Sequence, residues 1–179
     1  MTYKEYIDMD GYEYPIFFSK KYMVERFLKS EQYYIRKYIK YLRSEEYYTF
    51  YNRNKLMKYY YQRKKNILGS RLGFFIHVGN FGAGLRLYHY GSVIVHPKAK
   101  IGIDCTIHGN CCIGSTGGFP DLSPKIGDGV DIGQGAQILG DINIADGVKI
   151  GAGAVVIKSI QEAYVTAVGI PACVIKSKL

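Results

Sequence analysis

The stretch SPKIGDGVDIGQGAQILGDINIADGVKIGAGAVV, residues 123 to 156, decides the fold. Within it Ile126, Ile132, Ile138, Ile144, Ile150 and Val156 recur at every sixth position without a miss. A helix asks for apolar steps of three and four, and a half-buried strand for steps of two, so neither accounts for this period. Four residues after each large side chain comes a second inward one: Val130, Ala136, Ile142, Val148 and Ala154. Glycine follows the large residue at Gly127, Gly133 and Gly151. Gly129, Gly135, Gly147 and Gly153 stand mid-hexad, where a chain must bend with positive φ at low steric cost. Three short strands joined by three corners then form one triangular coil of three hexads, each coil hydrogen bonding to the next.

Working outward, Val95, Ile101, Ile107 and Ile113 carry the same step, with Ala99, Cys105 and Cys111 at the small inward positions. Phe75, Phe81 and Leu87 follow it more loosely, and a two-residue slip at Val93 and Ile94 resets the register. About five coils are expected, with open edges only at the two ends, which need capping. Between Ile113 and Ile126 the chain reads STGGFPDLSPK. Pro120, Pro124 and the paired glycines cannot continue the ladder, so residues 115 to 125 are expected to leave the coil as a loop.

Composition divides the chain in two. Residues 1 to 71 hold 16 of the 24 Lys and Arg, and fifteen of the 18 tyrosines fall before residue 62, whereas most glycines come after residue 68. A boundary is therefore placed at 70/71, with Gly69 as a helix stop after the basic run Arg63, Lys64 and Lys65. Ser19, Ser30 and Ser44 each precede a plausible helix, and Ile35, Tyr38, Ile39 and Leu42 form one apolar stripe. Two or three helices are expected ahead of the coils. Their basic, tyrosine-rich surface reads in two ways: a peripheral contact with anionic membrane, at about 1 kcal/mol per well-placed cation, or a solvated face with tyrosines packed between protomers. No nucleic-acid module is recognisable, so no nucleic-acid partner is expected.

The sequence does not open with a charged and then apolar leader, and no stretch approaches a bilayer span, so a cytoplasmic location is expected, either free or at the inner membrane surface. Cys105, Cys111, Cys112 and Cys173 form no CxxC pair and read as small buried hydrophobes. The gaps between His77, His89, His96 and His108, with no carboxylate or Cys at ligand spacing, argue against a metal site.

Five ordered segments go beyond a bare repeat: GLRLYHYGSVIV (84 to 95), PKAKIG (97 to 102), SPKIGDGVDIGQGAQILGDI (123 to 142), KIGAGAVV (149 to 156) and VGIPACVI (168 to 175). With them the chain, over roughly residues 56 to 176, resembles the hexapeptide-repeat acyltransferases, and within these the serine acetyltransferase-like enzymes often associated with surface-polysaccharide synthesis. The resemblance implies a mainly β chain, a left-handed parallel β-helix with an N-terminal helical segment, and a homotrimer using acetyl-CoA. It implies that His89 is the general base, drawing a proton from an acceptor hydroxyl that attacks the thioester directly. Imidazole suits the task because it can take up a proton near neutral pH. Backbone N–H groups of a glycine-rich corner would receive the developing oxyanion.

By position Gly114, Ser115, Gly133, Gln134, Gly151 and Ala152 should line a groove for acetyl-CoA between two protomers, with Lys158 and Lys176 near its phosphates. Tyr88, Tyr90, His108 and Ser123 are the expected acceptor-binding residues, while His77 and His96 read as surface or corner residues. Serine acetyltransferases carry an acidic residue directly before the catalytic histidine and an Arg-His pair before the PKI segment. Here Tyr88, Leu122 and Ser123 stand at those places. The expected acceptor is accordingly a sugar hydroxyl of a capsule or O-antigen glycan or its precursor. The alternatives are serine O-acetylation and a non-catalytic β-helix scaffold.

Overall fold

A computed structural model describes residues 1–11, 19–117 and 122–175. Four α-helices come first: α1 (Tyr3–Ile7), α2 (Lys20–Phe27), α3 (Glu31–Phe50) and α4 (Lys55–Leu72). Ser19 and Ser30 cap α2 and α3, each hydroxyl accepting from a backbone N–H three residues on. Ser44 does not start a helix. It lies inside α3 and donates to the Lys40 carbonyl, while Asn54 caps α4 in the place the sequence reading left empty. Gly69 likewise does not stop α4, which runs to Leu72 and closes on Gly73 in the left-handed conformation. A Cβ at Gly69 would stand 2.6 Å from the Phe74 carbonyl oxygen, so close packing against the first strand explains this glycine.

The remaining chain winds through three parallel sheets. Face one collects β1 (Phe74–Phe75), β3 (Val93–Val95), β6 (Cys111–Gly114), β9 (Gln137–Leu139) and β12 (Val155–Val156). Face two holds β4 (Lys100–Ile101), β7 (Lys125–Ile126) and β10 (Asn143–Ile144). Face three holds β2 (Arg86–Leu87), β5 (Thr106–Ile107), β8 (Asp131–Ile132), β11 (Lys149–Ile150) and β13 (Thr166–Gly169), with β14 (Ala172–Ile175) folded back antiparallel on β13. From β2 to β12 successive strands visit the faces in rotation, so Gln137 pairs with Val155 and Asp131 with Lys149, one coil on. The hexad isoleucines fill the interior: Ile113, Ile132 and Ile138 are wholly buried. Each such side chain contributes about 1.5–3 kcal/mol by leaving water.

Two irregularities resolve locally. The slip at Val93 is absorbed in β3, where Val93 and Val95 both point inward and Ile94 outward. β6 and β9 pair through Cys112 and Gln137, and Lys125, expected in the loop, instead belongs to β7, where it pairs with Lys100. Phe75 faces solvent rather than the core. Its neighbours Phe74 and Ile76 are the buried pair. Of the cysteines, Cys105 and Cys111 are buried as expected, Cys112 is half-buried, and Cys173 is exposed because β14 lies outside the coil.

The helices close the first coil. Ile35, Tyr38, Ile39, Leu42, Leu68 and Leu72 share one apolar cluster with the coil interior. Charge fixes the docking. Arg43, buried in α3, binds both carboxylate oxygens of Asp10 at 2.7 and 2.9 Å and Glu46 at 2.7 Å, and donates to the Phe81 carbonyl at 3.1 Å. Lys65 pairs with Glu45 at 2.9 Å and donates to the Ile76 carbonyl. Arg36 pairs with Glu25. Three cations of the basic segment are thus internal, not part of a solvated face. Among the described residues no helix is long and apolar enough to cross a membrane.

Candidate active site

Each turn from face three to face one forms a corner, and these corners stack as residues 88–92, 108–110, 133–136 and 151–154. In this column Asn110, Gly135 and Gly153 take positive φ at corresponding places, so a tight turn repeats from coil to coil. The column brings together Tyr88, His89, Tyr90, His108, Gly133, Gln134, Gly151 and Ala152 of the expected site.

At its top the His89 side chain is 59% exposed. Its Nδ1 lies 3.4 Å from Oε2 of Glu31, in the first turn of α3, and the other Glu31 oxygen accepts from the Tyr90 N–H at 2.6 Å. A carboxylate on Nδ1 favours the tautomer that leaves Nε2 free to accept a proton. Gln32, next along α3, donates to the Tyr88 carbonyl at 3.2 Å. Burial and then the Glu31 charge push the Tyr90 phenol up, so it stays a hydrogen-bond donor at neutral pH. One coil below, the His108 ring stacks on Tyr88 with centroids 4.9 Å apart and planes 17° from parallel. Its Nε2 stands 3.2 Å from Asp131 of the next coil. Tyr88 and His108 thus stack down the column, with Asp131 of β8 beside His108 as a charge neighbour and not in hydrogen-bond geometry.

Gly133 meets a packing demand as well. A Cβ there would stand 2.7 Å from both the Ala152 N and the Ile150 O of the coil beneath. Gly114, Ser115, Ser123 and Lys158 are not in this column. They lie at the opposite edge of face one, where the chain turns to face two, with Ser123 buried and Lys158 exposed. Lys176 lies outside the described residues, as does part of the loop expected over 115 to 125. Among the described residues no group of three or more His, Cys, Asp or Glu could hold a metal ion. Glu31 is the residue that sequence reasoning missed. The start of its helix was legible at Ser30, but nothing in the sequence announces that this turn lands on a corner 58 residues away.

No family model matches the chain. A probable serine acetyltransferase 4 of Oryza sativa subsp. japonica is 44% identical over 71 residues, 38% of this chain and 22% of that protein. The soybean serine acetyltransferase apoenzyme superposes with a TM-score of 0.72 at 27% identity, covering 97% of this chain and 67% of its own. A serine acetyltransferase solved in complex with CoA gives a TM-score of 0.66 at 29% identity, covering 79% and 57%. The likeness is to serine acetyltransferases. It supports a hexapeptide-repeat acetyltransferase family and corrects the expected sugar acceptor, since the matched proteins are named for serine and not for glycans. Tyr88, Leu122 and Ser123 still stand where serine acetyltransferases carry an acidic residue and an Arg-His pair. The chain spans about a fifth of the length of the curated relative and 57% of the CoA-bound one.

Proposed function

We propose that the chain is an acetyl-CoA-dependent O-acetyltransferase whose acceptor is the hydroxyl of serine or a closely related amino acid. The observation that carries it is Glu31 on Nδ1 of His89, at the head of a column that also holds His108, Gly133 and Gly151. The named activity of the relatives and the CoA complex of one of them support the same reading.

In this mechanism Nε2 of His89 accepts the hydroxyl proton as the oxygen attacks the thioester carbonyl. Glu31 holds the ring and offsets the imidazolium charge. When the tetrahedral species collapses the carbon–sulfur bond breaks, and His89 returns the proton to the departing thiolate, giving an acetyl ester and CoA. Glycine corners below His89 let the backbone approach the pantetheine arm.

We read the coil as left-handed and the assembly as a homotrimer. Face one presents Phe75, Ile94, Cys112, Gln137 and Val155 outward in register, apolar at every rung but Gln137, whereas the equivalent places on face two are Lys100, Lys125 and Asn143. An apolar sheet face beside polar ones suits self-association. Such packing would also bring the Gly114, Ser115 and Lys158 edge of one copy towards the His89 column of another, as a groove between protomers requires. The test is direct: purified protein with acetyl-CoA and L-serine should release free thiol and yield O-acetylserine by mass spectrometry. No thiol release with serine or its close analogues would overturn the assignment.

A further inference from the structure

A cavity of about 380 Å³ lies between α2, α3 and β2 and ends at Tyr88, the residue before His89. Its walls are Lys21 and Glu25 from α2, Gln32 and Arg36 from α3, and the segment from Arg86 to Tyr88. The size is at the low end for small-molecule sites, enough for a single small metabolite. The charges are unequal. Glu25 is the one carboxylate of the lining, and Arg36 is paired with it. Lys21 and Arg86 have no counter-charge within the lining, and Arg86 reaches Asp104 only at 3.9 Å. The lining therefore carries two net positive charges, one of them offset in part by Asp104 just outside it, in a partly enclosed place where a small anion is favoured. Gln32 ties its wall to the Tyr88 carbonyl, so whatever binds there is held against the strand end that presents His89.

We propose that this cavity binds the carboxylate of the amino-acid acceptor, with Arg86 and Lys21 as its cationic partners. The inference rests on the acetyltransferase reading above and names the residues that would select an amino acid over a neutral alcohol. A guanidinium fork matches carboxylate geometry, and an ammonium adds a second charge-assisted hydrogen bond. The adenosine phosphates of CoA are the other anions available. The cavity, however, sits at the first coil, whereas the glycine corners of the column descend away from it.

Steady-state kinetics of the full chain test the assignment, using acetyl-CoA with L-serine or L-serinamide, which has an amide in place of the carboxylate. The wild type should favour serine by roughly ten- to a hundred-fold in kcat/KM, the range for one charged hydrogen bond. Arg86→Met should abolish that preference by raising the serine KM. The acetyl-CoA KM and the thermal midpoint should not change, which shows the variant folded. Arg86→Lys should retain part of the preference, and Lys21→Ala should weaken it. An undiminished preference in Arg86→Met, or a raised acetyl-CoA KM in its place, overturns the inference. Wild-type turnover of serinamide but not serine also overturns it while leaving the acetyltransferase standing. Absence of CoA release with either acceptor removes the reading on which it rests.

Discussion

Glu31 and His89 meet across the junction between helices and coils, with 3.4 Å between carboxylate oxygen and Nδ1, although 58 residues separate them in the chain. The helical segment is therefore part of the site, besides capping the first coil. It delivers the only carboxylate recorded against the proposed base among the described residues.

Replacing the base is the plainest check. Because the His89 side chain is 59% exposed, His89→Ala should fold normally, with an unchanged thermal midpoint, while kcat falls by about 10²–10⁴-fold, the usual contribution of general base catalysis. An active His89→Ala protein would refute the assignment.

Glu31 acts through His89, so its removal should register in kcat more than in either KM. Glu31→Gln preserves shape but loses the charge that steadies the imidazolium. We expect kcat to drop about tenfold, less than in an enclosed triad because this pair is partly solvated. Glu31→Asp should recover part of the rate.

The buried Arg43 network is a stability element. Arg43→Met would leave Asp10 and Glu46 facing each other without their cation, at a cost of about 3–5 kcal/mol. Chemical denaturation should show this loss, with the helical segment loosening before the coils.

Gly133→Ala tests the coil spacing. The added methyl would push on Ala152 N and Ile150 O at 2.7 Å, both backbone atoms that cannot rotate aside. We expect about 1–3 kcal/mol of destabilisation, read as a lower thermal midpoint. Gly114→Ala, whose Cβ would meet side-chain atoms only, at 3.6 and 3.7 Å, should be close to neutral.

Thiol chemistry should follow burial. Cys173 is exposed and should be alkylated first, whereas burial pushes the Cys105 thiol up to about 11, and it should resist until the coil unfolds. The sign of the pH effect follows. The folded state holds the Cys105 proton more tightly than the unfolded chain, so this contribution is intact below about pH 8.5 and is lost as pH rises towards 11. Mass spectrometry of timed labelling at pH 8 gives the order.

The coil itself was legible because its rule is local. An inward isoleucine every sixth residue and a turn residue between strands constrain each coil in the same way, so the period survives in the bare sequence. The helix starts at Ser19 and Ser30 were legible for the same reason, since a cap acts within one turn. Ser44 and Gly69 misled because tertiary packing, and not local propensity, set their surroundings. His89 and His108 could be nominated from sequence. Their partners, Glu31 and Asp131, could not, because each arrives from a different coil or from a helix. The sequence by itself determined the repeat, the corner residues and the sites of chain reversal. The tertiary structure alone decided which charges are buried, which carboxylate meets the imidazole, and that the expected site residues divide between two edges of one face. Those outcomes depend on how separate segments pack in space, and no local spacing encodes that.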